Sequence, residues 1–287
     1  MMSTDWEPSC SIDTLRQRAV LLSKIRTFFA ELGVLEVQTS CVAKHTVTDP
    51  NIHSIKIPKI GYLQTSPEYQ LKRLLAAGAP SIYQMGPVFR AEEIGPQHAL
   101  EFTMLEWYRL NYDHRQLMDE VAELVDRMLG PADYRYVTYA EVLDHSNAIS
   151  NDIDLKFLSG LTNLGMGRIF VTDYPIEQAA LAQLDGDPPL ASRFELIIDG
   201  VEIANGYHEL GEINELDTRF EKELQIRKAL NLERYDLDAE FMAAMKHGLP
   251  PCSGVALGVD RLLMILLGAT SIAEVNAFPI EPEIINV

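Results

Sequence analysis

FRAEEIGPQHALEFTMLEWY, residues 89–108, reads as a strand, a polar loop and a returning strand. Successive side chains of a strand point to opposite faces. Arg90 and Glu92 therefore share a face of the first strand, and Phe102, Met104, Glu106 and Tyr108 share a face of the second. Thr103, Leu105 and Trp107 take the reverse face, which is apolar enough to cover a core. A charged, aromatic face in mid-sheet is costly unless something binds there, since a buried charge without a partner is strongly unfavourable or neutralises itself. For this stretch alone, an Arg90–Glu106 or Arg90–Glu92 ion pair on a solvated sheet face is the competing reading.

Composition narrows the class. The chain has 287 residues, enough for one large domain or two small ones, and 47% of them are hydrophobic. Its 42 acidic against 24 basic residues give a net charge of −18, the wrong sign for a protein that rides the nucleic-acid backbone. Such a balance suits a cationic substrate or a divalent metal. Cys10, Cys41 and Cys252 are odd in number and widely spaced, which argues against a disulfide framework or a zinc site. No apolar run approaches the ~18 residues of a membrane span. The N-terminal residues lack a basic region followed by an apolar one, so a cytoplasmic protein is expected.

Along the chain, 11–32 has apolar residues at Ile12, Leu15, Ala19, Leu22, Ile25, Phe29 and Leu32 and stops at Gly33, the spacing of an amphipathic helix. Residues 34–42 read as a strand and 45–61 as a loop with one short strand at 55–57. A helix over 70–77 follows, with Ser66 or Thr65 as cap and Pro67 in its first turn. Asp113 caps a helix over 114–129 with Leu117, Val121, Leu124, Val125 and Met128 inward, and Thr138 with Glu141 forms a capping box for 139–143. Residues 146–167 carry no readable period. A strand at 169–174, a short helix at 175–184 and a charged, solvated helix at 212–230 complete the pattern, with no repeat or linker dividing it.

Two further stretches carry chemistry. Asp199–Gly200 between β-branched runs is a two-residue hairpin signal, with Ile198 facing Val201 and Ile197 facing Glu202. Glu195 then falls on the face of Glu202, and two converging carboxylates suggest Mg²⁺ shared with phosphate oxygens, the alternative being two solvated glutamates. SGVALGVDR, residues 253–261, reads as a small-residue strand running into an apolar helix at 262–267, with Arg261 suited to an anion.

Together these pieces resemble the catalytic core of class II aminoacyl-tRNA synthetases: residues 89–92, His98 and 101–106 resemble motif 2, and 254–261 resemble motif 3. The lysyl type is most similar, through TSPEY at 65–69 and NGYHEL at 205–210. Within it the chain is similar to the stand-alone paralogues that modify elongation factor P. The fold implied is α+β, an antiparallel sheet flanked by helices, with residues 1–287 a single catalytic domain and no anticodon-binding OB-fold ahead of it. In motif 1, Ser40 stands where the family usually has proline; that motif builds a homodimer. The stretch 149–167 looks shorter than the family's usual helical insertion.

The resemblance implies a two-step acyl transfer from ATP. Arg90 would meet the α-phosphate, Arg261 and His98 the γ-phosphate, Phe102 would stack on adenine near Glu92, and Glu195 and Glu202 would hold Mg²⁺. Arg90 and Arg261 are thus the expected catalytic residues. Glu106 and Glu209 would surround the substrate's terminal ammonium, walled by Tyr108 and Tyr207 with Asn205 nearby, while Ser66 and Glu68 would hold its other amino group. Ala256, glycine in the tRNA-charging lysyl enzymes, would favour (R)-β-lysine over lysine. The acyl group would pass to a lysine of elongation factor P, with no tRNA and no membrane involved. A tRNA-charging fragment would need a basic surface that the sequence lacks. A regulatory subunit would be expected to lack some motif charges, which are all present here.

Overall fold

Helix α1 (Ile12–Glu31) opens the region described by the computed structural model, which covers residues 6–91 and 95–280. Ser11 caps it by accepting the Thr14 N–H at 3.0 Å. Its buried side is Leu21, Ile25, Phe28 and Phe29, so the expected stripe is rotated at its first half, and Ile12 is exposed. The predicted strand over 34–42 shrinks to β1 (Leu35–Glu36) and β2 (Val42–Ala43). The reason is local: Thr39 N–H donates to Gln84 Oε1 at 2.7 Å and Ser40 N–H to Gln70 Oε1 at 3.0 Å, so side-chain amides take donors that a ladder would use. β2, β3 (Lys56–Ile57) and β4 (Gly61–Leu63) make a small sheet in the order β2-β4-β3. Helix α2 (Glu68–Ala76) begins two residues earlier than predicted, behind Pro67.

The second predicted strand is present as β6 (Glu101–Leu110), but its partner β5 (Ile82–Phe89) ends where the first strand is expected to begin, so Arg90 lies beyond the strand; the two pair from Ile82 opposite Tyr108 to Phe89 opposite Glu101. Helix α3 (His114–Leu129) has the expected Asp113–Gln116 capping box and buries all five predicted residues. β7 (Tyr134–Thr138), which has no clear sequence signal, leads into α4 (Tyr139–Asp144) with its expected Thr138–Glu141 box. The unreadable stretch holds α5 (Ile153–Leu164). After β8 (Arg168–Tyr174) the predicted helix over 175–184 is only a 3-10 turn, Ile176–Gln178. Arginines compete for its carbonyls: Arg193 Nη1 donates to Gln178 O at 2.6 Å and Arg219 Nη1 to Ala180 O and Ala182 O at 2.7 and 2.8 Å.

β9 (Leu184–Asp185), β10 (Leu190–Ile198) and β11 (Val201–His208) precede α6 (Ile213–Ala229) and α7 (Ala239–His247). β12 (Cys252–Gly258) then passes straight into α8 (Val259–Leu267), which ends at Gly268 in the left-handed region with φ 66°. Among the described residues the main sheet has nine strands in the order β1-β5-β6-β12-β11-β10-β8-β7, with β9 on β10. Its interior is antiparallel as expected, but β1–β5 and β7–β8 are parallel, so the sheet is mixed and the class α+β.

The main core lies on one side of this sheet. Leu105 and Trp107 of β6, Phe194 and Leu196 of β10 and Leu257 of β12 pack with α1, α3 and α8, all of them almost inaccessible. Trp107 Nε1–H donates to Glu120 of α3 at 2.9 Å, which gives the indole its polar partner inside the core. On the opposite side α4 and α5 cover β8 and β10 with a second core of Val142, Leu161, Ile169, Val171 and Ile197, and the rest is left open as a cavity of about 1040 Å³, walled by the loop at 47–52, by α6 and by the first turn of α5. The expectation that α6 is merely solvated is corrected here: Leu216, Phe220 and Arg227 are buried, and Thr218, Arg219, Lys222 and Glu223 face the cavity. Among the described residues no helix is long and apolar enough to cross a membrane.

Candidate active site

Strand pairing sets the floor of the cavity in rows. Tyr108 of β6 stands opposite Gly254 of β12, Gly254 opposite Tyr207 of β11, and Tyr207 opposite Arg193 of β10. One step along, Glu106 stands opposite Ala256, Ala256 opposite Asn205, and Asn205 opposite Glu195. Period-two alternation projects both rows to the same side, and every member lines the cavity. Residues from four strands meet because β12, last in the chain, lies between β6 and β11.

Small residues in the middle strand keep the rows open. A Cβ on Gly254 would lie 2.4 Å from Glu209 Oε1 and 2.4 Å from the Tyr108 ring. Its backbone is ordinary, so the constraint is space alone. Gly254→Ala should therefore raise the KM for the amino acid in ATP–pyrophosphate exchange by about tenfold or more, since overpacking costs ~1–3 kcal/mol. The KM for ATP should change little, and equal KM values for the amino acid in both proteins would refute the packing argument.

The hairpin of β10 and β11 turns at Asp199–Gly200 in the predicted register, Ile198 opposite Val201 and Ile197 opposite Glu202. A bulge then intervenes: Leu196 pairs with Ala204, so Ile203 is the extra residue and Glu195 meets Asn205. The unbroken register expected from the turn ends there. The bulge is what lets Glu202 and Asn205, three apart, both face the cavity.

The acid-rich end of the cavity is built as follows. Ser66 Oγ donates to Glu106 Oε2 at 2.7 Å and Tyr108 OH donates to Glu106 Oε1 at 2.8 Å. Glu68 N–H donates to Ser66 Oγ at 3.0 Å, which turns that hydroxyl towards Glu106. Lys72 Nζ lies 2.6 Å from Glu68 Oε1 and 2.6 Å from Glu209 Oε2. Lys72 is missed by the sequence reading, where it is one of many polar residues on a helix. A Glu–Lys spacing of four is the available signal, but that spacing usually marks an exposed pair.

Electrostatics mark this end as short of positive charge. Burial pushes the Glu106 carboxyl up, and the charge of Glu68 adds to it against the pull of the Ser66 and Tyr108 hydroxyls. Burial raises Glu209 too, with Lys72 opposing. Burial by itself would lower Lys72, yet Glu209 and Glu68 together hold it above the usual lysine range, so it stays charged. Lys72 thus pairs with two carboxylates, Glu68 and Glu209, while the third, Glu106, is held by hydroxyls, so one ammonium stands among three carboxyl groups.

At the other end Arg261, in the first turn of α8, donates Nη1 to Glu202 O at 2.8 Å and Nε to Gln97 O at 3.2 Å, and its Nη2 is 2.8 Å from His98 Nε2. Arg261 and His98, both expected near one phosphate, thus lie side by side. Arg90 donates Nε to Thr65 O at 3.3 Å, and its guanidinium lies 5.4 Å from the centroid of the Phe102 ring. Glu106 is held by the two hydroxyls named above. Glu92 lies outside the described residues.

Glu195 and Glu202 both line the cavity between these ends. Arg193, also missed from sequence, donates Nη2 to Glu195 and Nε to Asn205 Oδ1 at 3.3 Å, with its guanidinium 4.3 Å from the Tyr174 ring centroid. Its signal is the same-face spacing of Arg193 and Glu195. Burial first, and Glu202 second, push the Glu195 carboxyl up even with Arg193 beside it. That residual repulsion fits a cation between the two glutamates. Among the described residues no cluster of three or more acidic, His or Cys side chains that could hold a metal ion is found.

Comparison with known proteins agrees with this architecture. Residues 5–282 match the family of class II tRNA synthetases (D, K and N). The chain is 42% identical to the elongation factor P--(R)-β-lysine ligase of Vibrio vulnificus (strain YJ016), over 97% of this chain and 99% of that protein. It is 40% identical to the protein of the same name from Hamiltonella defensa subsp. Acyrthosiphon pisum (strain 5AT), over 97% and 98%, and 41% identical to that of Vibrio cholerae serotype O1 (strain ATCC 39315 / El Tor Inaba N16961), over 97% and 99%.

Proposed function

Because the chain belongs to the class II tRNA synthetase family (D, K and N), we propose that it activates (R)-β-lysine, or lysine, with ATP and transfers the acyl group to a lysine side chain of elongation factor P. The observation that carries this reading is one cavity lined at one end by three carboxyl groups around a single ammonium and also lined by Arg90 and Arg261. A diamino acid brings two ammonium groups and one carboxylate. Its ammonium groups neutralise the acidic end, and its carboxylate is left pointing towards the arginines. A cation between desolvated carboxylates and aromatic walls is bound favourably.

Glu106 and Glu209 take the terminal ammonium, between Tyr108 and Tyr207 and beside Asn205. Ser66 and Glu68 take the other amino group. ATP lies against Phe102, with Arg90 at the α-phosphate, His98 and Arg261 at the γ-phosphate, and Glu92 near adenine. Glu195 and Glu202 would hold Mg²⁺, which would offset negative charge on the phosphates. The amino-acid carboxylate attacks the α-phosphorus, and pyrophosphate leaves. Arg90 stabilises the charge that builds on the transferring group, so positioning and electrostatics supply the rate. The ε-amine of the acceptor lysine then attacks the acyl carbon, AMP leaves and an amide forms.

Ala256 sits in the floor row between Glu106 and Asn205, so its methyl group narrows the cavity floor along which the substrate lies. Ala256→Gly should raise the activation of lysine relative to β-lysine by about tenfold, within the ~1–3 kcal/mol that one methylene-sized contact can discriminate. An unchanged ratio in exchange assays with the two amino acids would remove Ala256 from the selectivity. We further propose a cytoplasmic homodimer that works without tRNA. Exposed Leu35 and Val42 near the motif 1 segment, half and about two-fifths accessible, support a subunit contact there.

The deciding experiment is amino-acid-dependent ATP–pyrophosphate exchange with β-lysine and lysine, followed by the intact mass of elongation factor P after incubation with enzyme and ATP. Exchange with a gain of one lysyl group is the expected result. Exchange without transfer assigns another acceptor, and no exchange refutes the activity.

A further inference from the structure

Lys72 is buried in α2 behind the cavity wall, with 1% of its side chain accessible. Glu209 uses its two oxygens differently. Oε2 meets Lys72 Nζ at 2.6 Å, while Oε1 faces Gly254, close enough that a Cβ there would fall 2.4 Å from it. Glu68 is joined to the same ammonium, and its own N–H orients Ser66, which holds Glu106. One cation thereby fixes two carboxylates directly and is linked through Ser66 to the third.

We propose that Lys72 is a positioning residue that acts as a built-in countercharge: it pins Glu68 and Glu209 and offsets part of the pocket's negative charge, leaving the rest to a diamino acid's ammonium groups. This rests on the amino-acid activation proposed above. Without Lys72, Glu68 and Glu209 would stand in a poorly solvated site with no cation between them. They would share a proton or turn apart, because like charges in low dielectric cannot both stay ionised at close range. Glu209 would then offer the substrate a neutral or displaced partner. The ATP end is served by Arg90, which donates to Thr65 O, and by Arg261, which donates to Gln97 O and Glu202 O and meets His98, and it should be unaffected.

Three variants test this in ATP–pyrophosphate exchange. K72M, close in length and uncharged, should raise the KM for the diamino acid about a hundredfold, as expected when one partner of a buried ion pair is removed. Its KM for ATP should stay within about twofold, a split that general loss of structure would not produce. K72A removes three carbons and the ammonium, which n-propylammonium can replace. Added at millimolar concentration, it should lower the KM of K72A for the amino acid several-fold and leave the wild type unchanged. K72R keeps a bridging cation and should remain within about tenfold of the wild type.

A wild-type KM in K72M overturns the inference. So does a K72A protein that still shows an ATP-induced rise in Tm but is not rescued by propylammonium. If K72M and K72A do not fold, K72R decides: a hundredfold loss in folded K72R overturns the countercharge. Absence of exchange in the wild type would instead refute the proposed activity and this inference with it.

Discussion

Glu106→Gln is expected to raise the KM for the diamino acid by about a hundredfold or more, and to weaken its pH dependence, leaving the part that Glu209 contributes. The first part follows from charge. An amide can accept a hydrogen bond from the substrate ammonium, but it cannot compensate it, and truncating one partner of a buried charged pair costs ~2–5 kcal/mol. The second part follows from linkage. Burial and the neighbouring Glu68 push this carboxyl up to about 8 from an ordinary value of 4.5. In the free protein the folded state keeps that proton over a range where the unfolded chain has already released it. Its stability should therefore fall as pH rises from about 4.5 to about 8. The ligand reverses the sign. Its ammonium prefers ionised Glu106, so binding expels the proton and affinity grows with pH until the carboxyl is ionised unaided. Wild-type Tm shifts produced by the diamino acid should increase over this range, and those of Glu106→Gln should be smaller and rise less between about pH 7 and 8. A variant with normal KM, or with the wild-type pH profile, would show that another group binds the cation.

Some of this site is legible in the sequence because strand periodicity is strict. Residues 102, 104, 106 and 108 have to share a face, and the Asp199–Gly200 turn has to set the register at the start of its hairpin. Both capping boxes, Asp113–Gln116 and Thr138–Glu141, are readable because their hydrogen bonds span three residues. What sequence hides depends on partners far along the chain. α5 looks irregular because Gly160 interrupts it, yet that glycine is required: a Cβ there would lie 1.9 Å from Val142 O of α4. A helix breaker by propensity is here the point of closest helix contact. β7 is a short edge strand whose pairing with β8 lies beyond the window in which period can be read. The bulge at Ile203 leaves no local mark, and it decides that Asn205 faces Glu195. Lys72 fails for a different reason: its spacing from Glu68 fits an exposed helix pair, and only the arrival of Glu209 from β11's far end buries it.

The scaffold behind the arginine end makes the largest expected effect on stability. Asp260, the residue before Arg261, is 1% exposed in the first turn of α8. One of its oxygens accepts from Arg18 of α1, and the other accepts the Thr103 N–H of β6 at 2.6 Å. Arg18 completes the triangle by donating Nη2 to Thr103 Oγ1 at 2.6 Å. Three elements distant in sequence are thus tied by one carboxylate, at the edge of the strand that carries Phe102, Met104 and Glu106. Asp260→Ala leaves the Arg18 guanidinium, largely buried, without its anion and the Thr103 N–H without an acceptor. Breaking a buried pair from one side costs ~3–5 kcal/mol, which for a chain of this size is a fall in Tm of roughly 10 °C. Asp260→Asn keeps an acceptor for Thr103 but not the charge, and should fall between the alanine variant and the wild type. Because Arg261 follows directly, loosening the start of α8 should also raise the KM for ATP well below the unfolding temperature, while the KM for the diamino acid changes less. Calorimetry and exchange kinetics on the two variants check both statements. A Tm within about 2 °C of the wild type for Asp260→Ala would mean that apolar packing of α8 alone holds the arginine in place, and that the carboxylate contributes orientation without stability.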